Sequence, residues 1–279
     1  MPDSGIRRVL VAIDSSELNH EILQTAMELA SRFKAELNAV YIEDINLLRM
    51  AELPLAREVV YGAVKASQLT PNEMERSLQL QSARLRRFVE KIAQTKEINI
   101  SFNVLRGDIA NELSIASQEC DLLVMGKSTQ IINRGRRIGS VTRTVLASAN
   151  SSLLLIQHGA RFERPVAVFY NSTESCKRAM DLALELVEQV NGNLLVIVPA
   201  NLPGTELDEV KKQLNKQLNE RSVNITILQL TENTIDALLE TITNSGAKLL
   251  LTGIKTGIIE DQELQTLVEK NTVPIILAR

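Results

Sequence analysis

The segment VLVAIDSS (Val9–Ser16) has a counterpart in PVAVFYNST (Pro165–Thr173). Each is an apolar run that stops at a small polar residue, Asp14 in the first and Asn171 in the second. A second pair, DLLVMG (Asp121–Gly126) and KLLLTG (Lys248–Gly253), ends both times on glycine. The chain is two copies of one plan, so each copy must build the same topology around its own core.

In the first copy, Ser16–Phe33 places Ile22, Ala26, Leu29 and Ala30 at helical spacing. LNAVYI (Leu37–Ile42) reads as a strand, and residues 44–69 as a less regular connection. A long helix starts at Pro71, a residue suited to the first helical position, and carries Met74, Leu78, Leu85, Phe88, Val89 and Ile92. Ile98–Leu105 is a strand, Asp108 caps a helix reaching Ser117, and Asp121–Met125 is a strand. Ser140–Ala149 is helical and Leu153–Ile156 is the fifth strand. The second copy repeats with Leu194–Val198, Asn224–Leu228, KLLLTG and Val273–Ala278. Strands alternating with helices imply parallel βαβ units with right-handed crossovers. The expected fold is α/β: two tandem five-stranded parallel-sheet, Rossmann-like domains of strand order 3-2-1-4-5, residues 1–158 and 159–279. His158–Arg164 (HGARFER) serves as the linker.

Composition narrows the function. A 44% hydrophobic, 23% charged chain is globular, not disordered. A net charge of −3 and 3% aromatic content argue against a nucleic-acid partner. Two cysteines, Cys120 and Cys176, make no disulfide framework and read as packing residues. His20 and His158 read as structural or surface residues. No signal-peptide pattern and no bilayer-spanning run is present, so a cytoplasmic protein without a membrane partner is expected.

The stretch MGKSTQIINRGRRIGSVT (Met125–Thr142) contains Gly-Lys-Ser, the end of a P-loop motif. A P-loop needs another glycine five positions earlier, and Asp121 stands there. Gly126 therefore follows a strand and does not close a phosphate cradle. Open parallel sheets bind ligands beyond the carboxyl ends of the strands, where strand order reverses. In a 3-2-1-4-5 sheet that crevice lies between strands 1 and 4, whose following loops begin at Asp14 and Gly126. Gly139-Ser140 then opens a helix, and free N–H groups at a helix start favour phosphate. The simpler reading is that Asp14 caps the next helix and Gly139-Ser140 merely starts one. Lys127 is read as exposed and Arg134, Arg136 and Arg137 as a solvated basic loop. Glu43 and Asp44 are read as a solvated strand end.

With these residues in view, the chain resembles a tandem member of the universal stress protein family, whose fold is that of adenine nucleotide alpha hydrolases. The family's first strand ends in Asp, here Asp14. Its ATP-binding members carry Gly, two residues, Gly, nine residues, then Gly-Ser or Gly-Thr. Gly126, Gly139 and Ser140 match, followed by Val141 and Thr142; Thr129 replaces the middle glycine. The resemblance implies a nucleotide site with Asp14 and Ser15 near base and ribose and the Val40 main chain at the base. Met125, Gly126, Thr129, Gly139, Ser140, Val141 and Thr142 then surround ribose and phosphates, and Mg²⁺ bridges the phosphates of ATP.

If position 129 requires left-handed backbone, a β-branched residue costs on the order of 1–2 kcal/mol, roughly tenfold in affinity. Thr129→Gly is then expected to tighten binding. In the second copy, Asn171 replaces the Asp, and Glu260, Asp261 and Glu263 stand where a phosphate would need a helix start. That copy is read as degenerate.

The expected function is an ATP-binding sensor or regulator with a structural second domain. The resemblance also implies that the fifth strands meet in an internal pseudo-dimer, that whole chains can pair as a homodimer, and that a regulatory protein partner exists. Two alternatives stay open: an interaction protein of the same fold with an empty site, and a slow ATP hydrolase. No nucleophile–base pair marks an enzyme, and no catalytic residue or metal ligand is assigned.

Overall fold

The computed structural model describes residues 5–14, 19–53, 57–58, 67–68, 70–96, 98–127, 129–132, 135–157, 165–188, 192–201, 208, 212, 223–254 and 261–279. Ser15, Arg134, the linker 158–164 and Glu260 lie outside the described residues, as do the side chains of Thr129, Arg136, Arg137 and Asp261.

The first half contributes β1 (Arg8–Ala12), α1 (Asn19–Phe33), β2 (Glu36–Asp44), α2 (Ile45–Ala51) and the two-residue strands β3 (Arg57–Glu58) and β4 (Ser67–Gln68). There follow α3 (Pro71–Lys96), β5 (Ile100–Gly107), α4 (Ile109–Ala116), β6 (Leu122–Gly126), β7 (Thr129–Ile132), β8 (Gly135–Ile138), α5 (Ser140–Ser148) and β9 (Ser152–Ile156). The second half contributes β10 (Val166–Phe169), α6 (Glu174–Glu188), β11 (Asn193–Val198), β12 (Asn224–Gln229) and α7 (Ile235–Asn244). It ends with β13 (Leu249–Gly253), α8 (Asp261–Lys270) and β14 (Ile275–Ala278).

Ten strands form one sheet in the order β12-β11-β10-β13-β14-β9-β6-β1-β2-β5. Read from either end, five strands follow 3-2-1-4-5, as the repeat requires. The two half-sheets join through the fifth strands, antiparallel, with Ile275 opposite Leu155, Ile276 opposite Leu154 and Leu277 opposite Leu153. This junction covers two apolar edges that would otherwise be open to aggregation. The inner strands β6, β9, β10, β13 and β14 are apolar without alternation because helices cover both faces. The outer strands β5 and β12 alternate between exposed and half-buried residues, as edges do.

Helices α1, α3 and α6 bury Leu23, Leu29, Leu85, Val89 and Leu184 against one face. Helices α4, α5, α7 and α8 bury Leu113, Val145, Leu146, Leu238 and Leu267 against the other. Local signals place several helix starts. Asp108 accepts from the Asn111 N–H and caps α4. Before α3, Glu73 N–H donates to the Thr70 hydroxyl while Thr70 N–H donates back to the Glu73 carboxylate, a capping box. The Thr70 hydroxyl, donating to the Glu73 carboxylate at 2.7 Å, and then the Thr70 N–H lower the Glu73 pKa below its ordinary value. Strand β2 runs two residues past the expected end because β5 pairs with it as far as Asp44 opposite Gly107.

Candidate functional site

The carboxyl ends of β1, β2 and β6 lie at one edge of the first half-sheet. The pairing of β1 with β6 is registered through Val11 and Val124. Beyond it, the Ile13 N–H donates to the Val40 carbonyl at 2.9 Å, and the chain leaves the sheet at exposed Asp14. Val40 and Met125 are buried, and Gly126 ends β6 half-buried. Strand order reverses between these two strands, so their divergence opens the crevice expected of this topology.

Helix α5 starts beside it. Gly139 is its N-cap, extended at φ −62° and ψ 158°, and no side chain caps the helix. Side chains do cap α2 (Asp44), α4 (Asp108) and α7 (Thr234). The first intrahelical bond of α5 runs from Arg143 N–H to the Gly139 carbonyl, so the N–H groups of Ser140, Val141 and Thr142 precede the helical ladder. Ser140 is exposed and Val141 half-buried. Thr142 is 1% exposed, and its hydroxyl makes no hydrogen bond. A buried hydroxyl left unpaired costs about 1–3 kcal/mol, so a partner from outside the protein would be stabilising there.

Three sequence readings are corrected here. Lys127 is not exposed; it is 6% accessible. Its ammonium donates to the Asn271 carbonyl at 2.8 Å, the Glu269 carbonyl at 3.3 Å and Gln157 Oε1 at 3.4 Å. It thus caps the C-terminus of α8 in the other half, where a cation is favoured. Glu43 is not solvated either; it is 5% exposed and accepts from Arg106 Nε at 2.9 Å and Nη2 at 2.6 Å. Arg106 also pairs with Glu75 at 2.7 Å, while Asp44 caps α2. Last, Thr129 does not sit in left-handed backbone. It begins β7, an extended strand opposite Ile138 in a hairpin with β8, a conformation that β-branched residues favour. Arg136 and Arg137 lie in β8, whose last residue is tied down: the Ile138 N–H donates to Glu269 Oε1 at 3.3 Å.

The second half uses the same positions for packing. Asn171 accepts from the Thr173 N–H and hydroxyl, closing a local turn. A Cβ on Gly253, the counterpart of Gly126, would collide with Ser175 Oγ and stand 2.8 Å from the Cys176 nitrogen. The start of α6 therefore presses on the strand end. Phe169, 1% exposed, occupies the place of half-buried Ala12 in the first half. What remains is a small recess lined by Phe169, Leu230, Thr234, Leu238 and Glu263, a carboxylate-bearing surface unsuited to phosphate. The Ala12/Phe169 difference was readable from the repeat. Lys127, Glu269 and Asn271 carried no local signal, since their relation spans the two halves.

Burial, then the carboxylates of Glu43, Asp14 and Asp44, push the Tyr41 hydroxyl up to about 12. Cys120 and Cys176 are both buried, and burial raises the Cys120 thiol pKa. His20 is exposed, its ring edge-on to Phe88 at 6.3 Å. Among the described residues, no three His, Cys, Asp or Glu side chains gather to hold a metal ion, and no helix is long and apolar enough to cross a membrane.

Comparison with known proteins agrees with this architecture. A sequence profile described as the universal stress protein family matches residues 5–157. A universal stress protein of Methanocaldococcus jannaschii is 24% identical over 153 residues, covering 54% of this chain and 82% of that protein. The crystal structure of a universal stress protein from Archaeoglobus fulgidus DSM 4304 superposes with a TM-score of 0.70 at 16% identity. It spans 100% of this chain and 99% of that one, so the likeness of fold extends over both halves. A functionally unknown protein from Pseudomonas aeruginosa PAO1 gives a TM-score of 0.62 at 13% identity, over 99% and 93% of the two chains. The family match covers more than half of the sequence: this chain belongs to the universal stress protein family.

Proposed function

We propose that this chain is a cytoplasmic adenine-nucleotide sensor that binds ATP with Mg²⁺ in its first half. The observation that carries the reading is the α5 N-terminus. It has no side-chain cap, it begins at Gly139-Ser140 beside the β1/β6 crevice, and it buries an unpaired Thr142 hydroxyl. Three leading N–H groups and the helix dipole suit a phosphate. Small Ala12, where the second half has Phe169, leaves room beside β1. In this reading the chain divides into 1–158, which holds the site, and 159–279, which does not. Asp14, Ser15 and the Val40 main chain face base and ribose. Met125, Gly126, Thr129, Gly139, Ser140, Val141 and Thr142 surround ribose and phosphates, and Mg²⁺ bridges the phosphates.

A second reading, an interaction protein with an empty site, is favoured by Thr129 at the place of the motif's middle glycine. Mass spectrometry of the purified protein for bound nucleotide, followed by calorimetry with MgATP, separates the two. Wild type is expected to bind one equivalent, and Gly139→Val to bind none, because a β-branched side chain blocks approach to the helix N-terminus. No heat from wild type establishes the empty-site reading. Binding retained in Gly139→Val moves the site elsewhere.

A further inference from the structure

The segment that joins the two motif glycines is held at both ends by the other half of the molecule. At its start, Lys127 follows Gly126, and its ammonium is bonded to the Glu269 and Asn271 carbonyls at the end of α8. At its finish, Ile138 precedes Gly139, and its N–H donates to the Glu269 carboxylate. Gln157, after β9, donates to the Thr272 carbonyl in the same turn. A fourth contact grips the far end of the phosphate-facing helix: Arg279 Nη2 donates to the Leu146 carbonyl of α5 at 2.6 Å.

We infer that the second half is a positioning device for the first-half nucleotide site, with the 269–271 turn of α8 setting the geometry of the Gly126–Gly139 segment. This rests on the nucleotide reading above. Lys127 and Glu269 are positioning residues here; neither needs to touch the nucleotide. Hydrogen bonds to charged groups are short-range and directional, so they fix where Gly126 and Gly139 stand relative to each other. A helix terminus aimed at phosphate works only if that separation is held before the ligand arrives. The degenerate copy then has a role other than filling a sheet edge. Linkage makes the coupling reciprocal: whatever the turn contributes to nucleotide affinity, nucleotide contributes to the order of the turn.

The test combines calorimetry with hydrogen exchange on the full chain. Glu269→Ala removes the acceptor for Ile138 N–H, whereas Glu269→Gln keeps an oxygen in place. Lys127→Met keeps the aliphatic stem and removes the donors. With MgATP, Glu269→Ala and Lys127→Met are expected to bind about threefold to tenfold more weakly than wild type, and Glu269→Gln to bind within about twofold of it. In wild type, MgATP is expected to slow amide exchange across residues 264–272, in the half that does not bind it. Should Lys127→Met fail to fold, Glu269→Ala and wild-type exchange decide. If wild type binds MgATP but Glu269→Ala binds equally well and exchange in 264–272 does not change, this inference is overturned and the nucleotide reading stands. If wild type binds no MgATP, both are overturned together.

Discussion

Lys127 Nζ lies 2.8 Å from the carbonyl oxygen of Asn271, across the junction of the two half-sheets. The counterpart of Lys127 after β13 is Ile254, also buried, and both backbones make the same bond: Lys127 N–H to the Ile156 carbonyl, Ile254 N–H to the Ala278 carbonyl. One repeat position thus carries a cation in one copy and a hydrocarbon in the other. The first arrangement ties α8 to the opposite half. In return, Arg279, the counterpart of Gln157, reaches the α5 carbonyl at Leu146.

Replacing Lys127 by Met should reveal the strength of that tie. The Asn271 and Glu269 carbonyls lose their donor inside the protein, at a cost of about 1–3 kcal/mol. Urea unfolding is expected to show a lower midpoint with an unchanged slope, since the exposed area on unfolding barely changes. An unaltered midpoint would mean water replaces the ammonium without loss.

Gly253 and Gly246 should fail for different reasons when changed. Gly253→Ala forces a Cβ into Ser175 and the Cys176 backbone, and overpacking of this kind costs about 1–3 kcal/mol. Gly246 has open space around it but φ +68°, so Gly246→Ala costs about 1–2 kcal/mol through left-handed strain. Asn tolerates that conformation. Gly246→Asn should therefore recover most of the loss, while Gly253→Asn should be worse than Gly253→Ala. Thermal melts of the four variants check the pattern.

Thr129→Gly is expected to weaken MgATP binding, by about fivefold at most, not to tighten it. Thr129 occupies an extended strand paired with Ile138, so no left-handed strain is relieved. Glycine in a strand instead adds disorder to the unfolded hairpin, about 0.5–1 kcal/mol. Calorimetry beside wild type gives the sign; tighter binding would return Thr129 to the strained role its motif position implies.

Tyr41 should ionise late and carry a pH dependence with it. Its folded pKa of about 12 lies above the ordinary value of 10, so the folded state holds the phenolic proton more tightly than the unfolded chain. The resulting stability is fully present below pH 10 and is lost as pH rises from 10 towards 12. Absorbance titration of phenolate formation should show a late phase that Tyr41→Phe removes. The variant should also flatten the loss of stability in that alkaline window.

What the sequence determined by itself was the part governed by local and periodic forces. Apolar runs such as VLVAI, LLVMG and LLLTG require buried parallel strands, and their repetition requires two half-sheets of one order. Asp108 and Pro71 mark helix starts because capping and the fixed φ of proline act within a turn of chain. The helix start at Gly139-Ser140 was legible too, although no side chain caps it, because a Gly-Ser pair precedes the helical apolar spacing of α5. Tertiary structure decided what depends on distance in space. Lys127 looks like a surface lysine until α8 brings two carbonyls to it, and Glu43 looks solvated until Arg106 crosses from β5. Thr129 looks strained at its motif position until β7 pairs with β8, whose end Glu269 holds. A charged or polar side chain takes its meaning from the partner that folding supplies, and here that partner lies as far away in sequence as the other repeat.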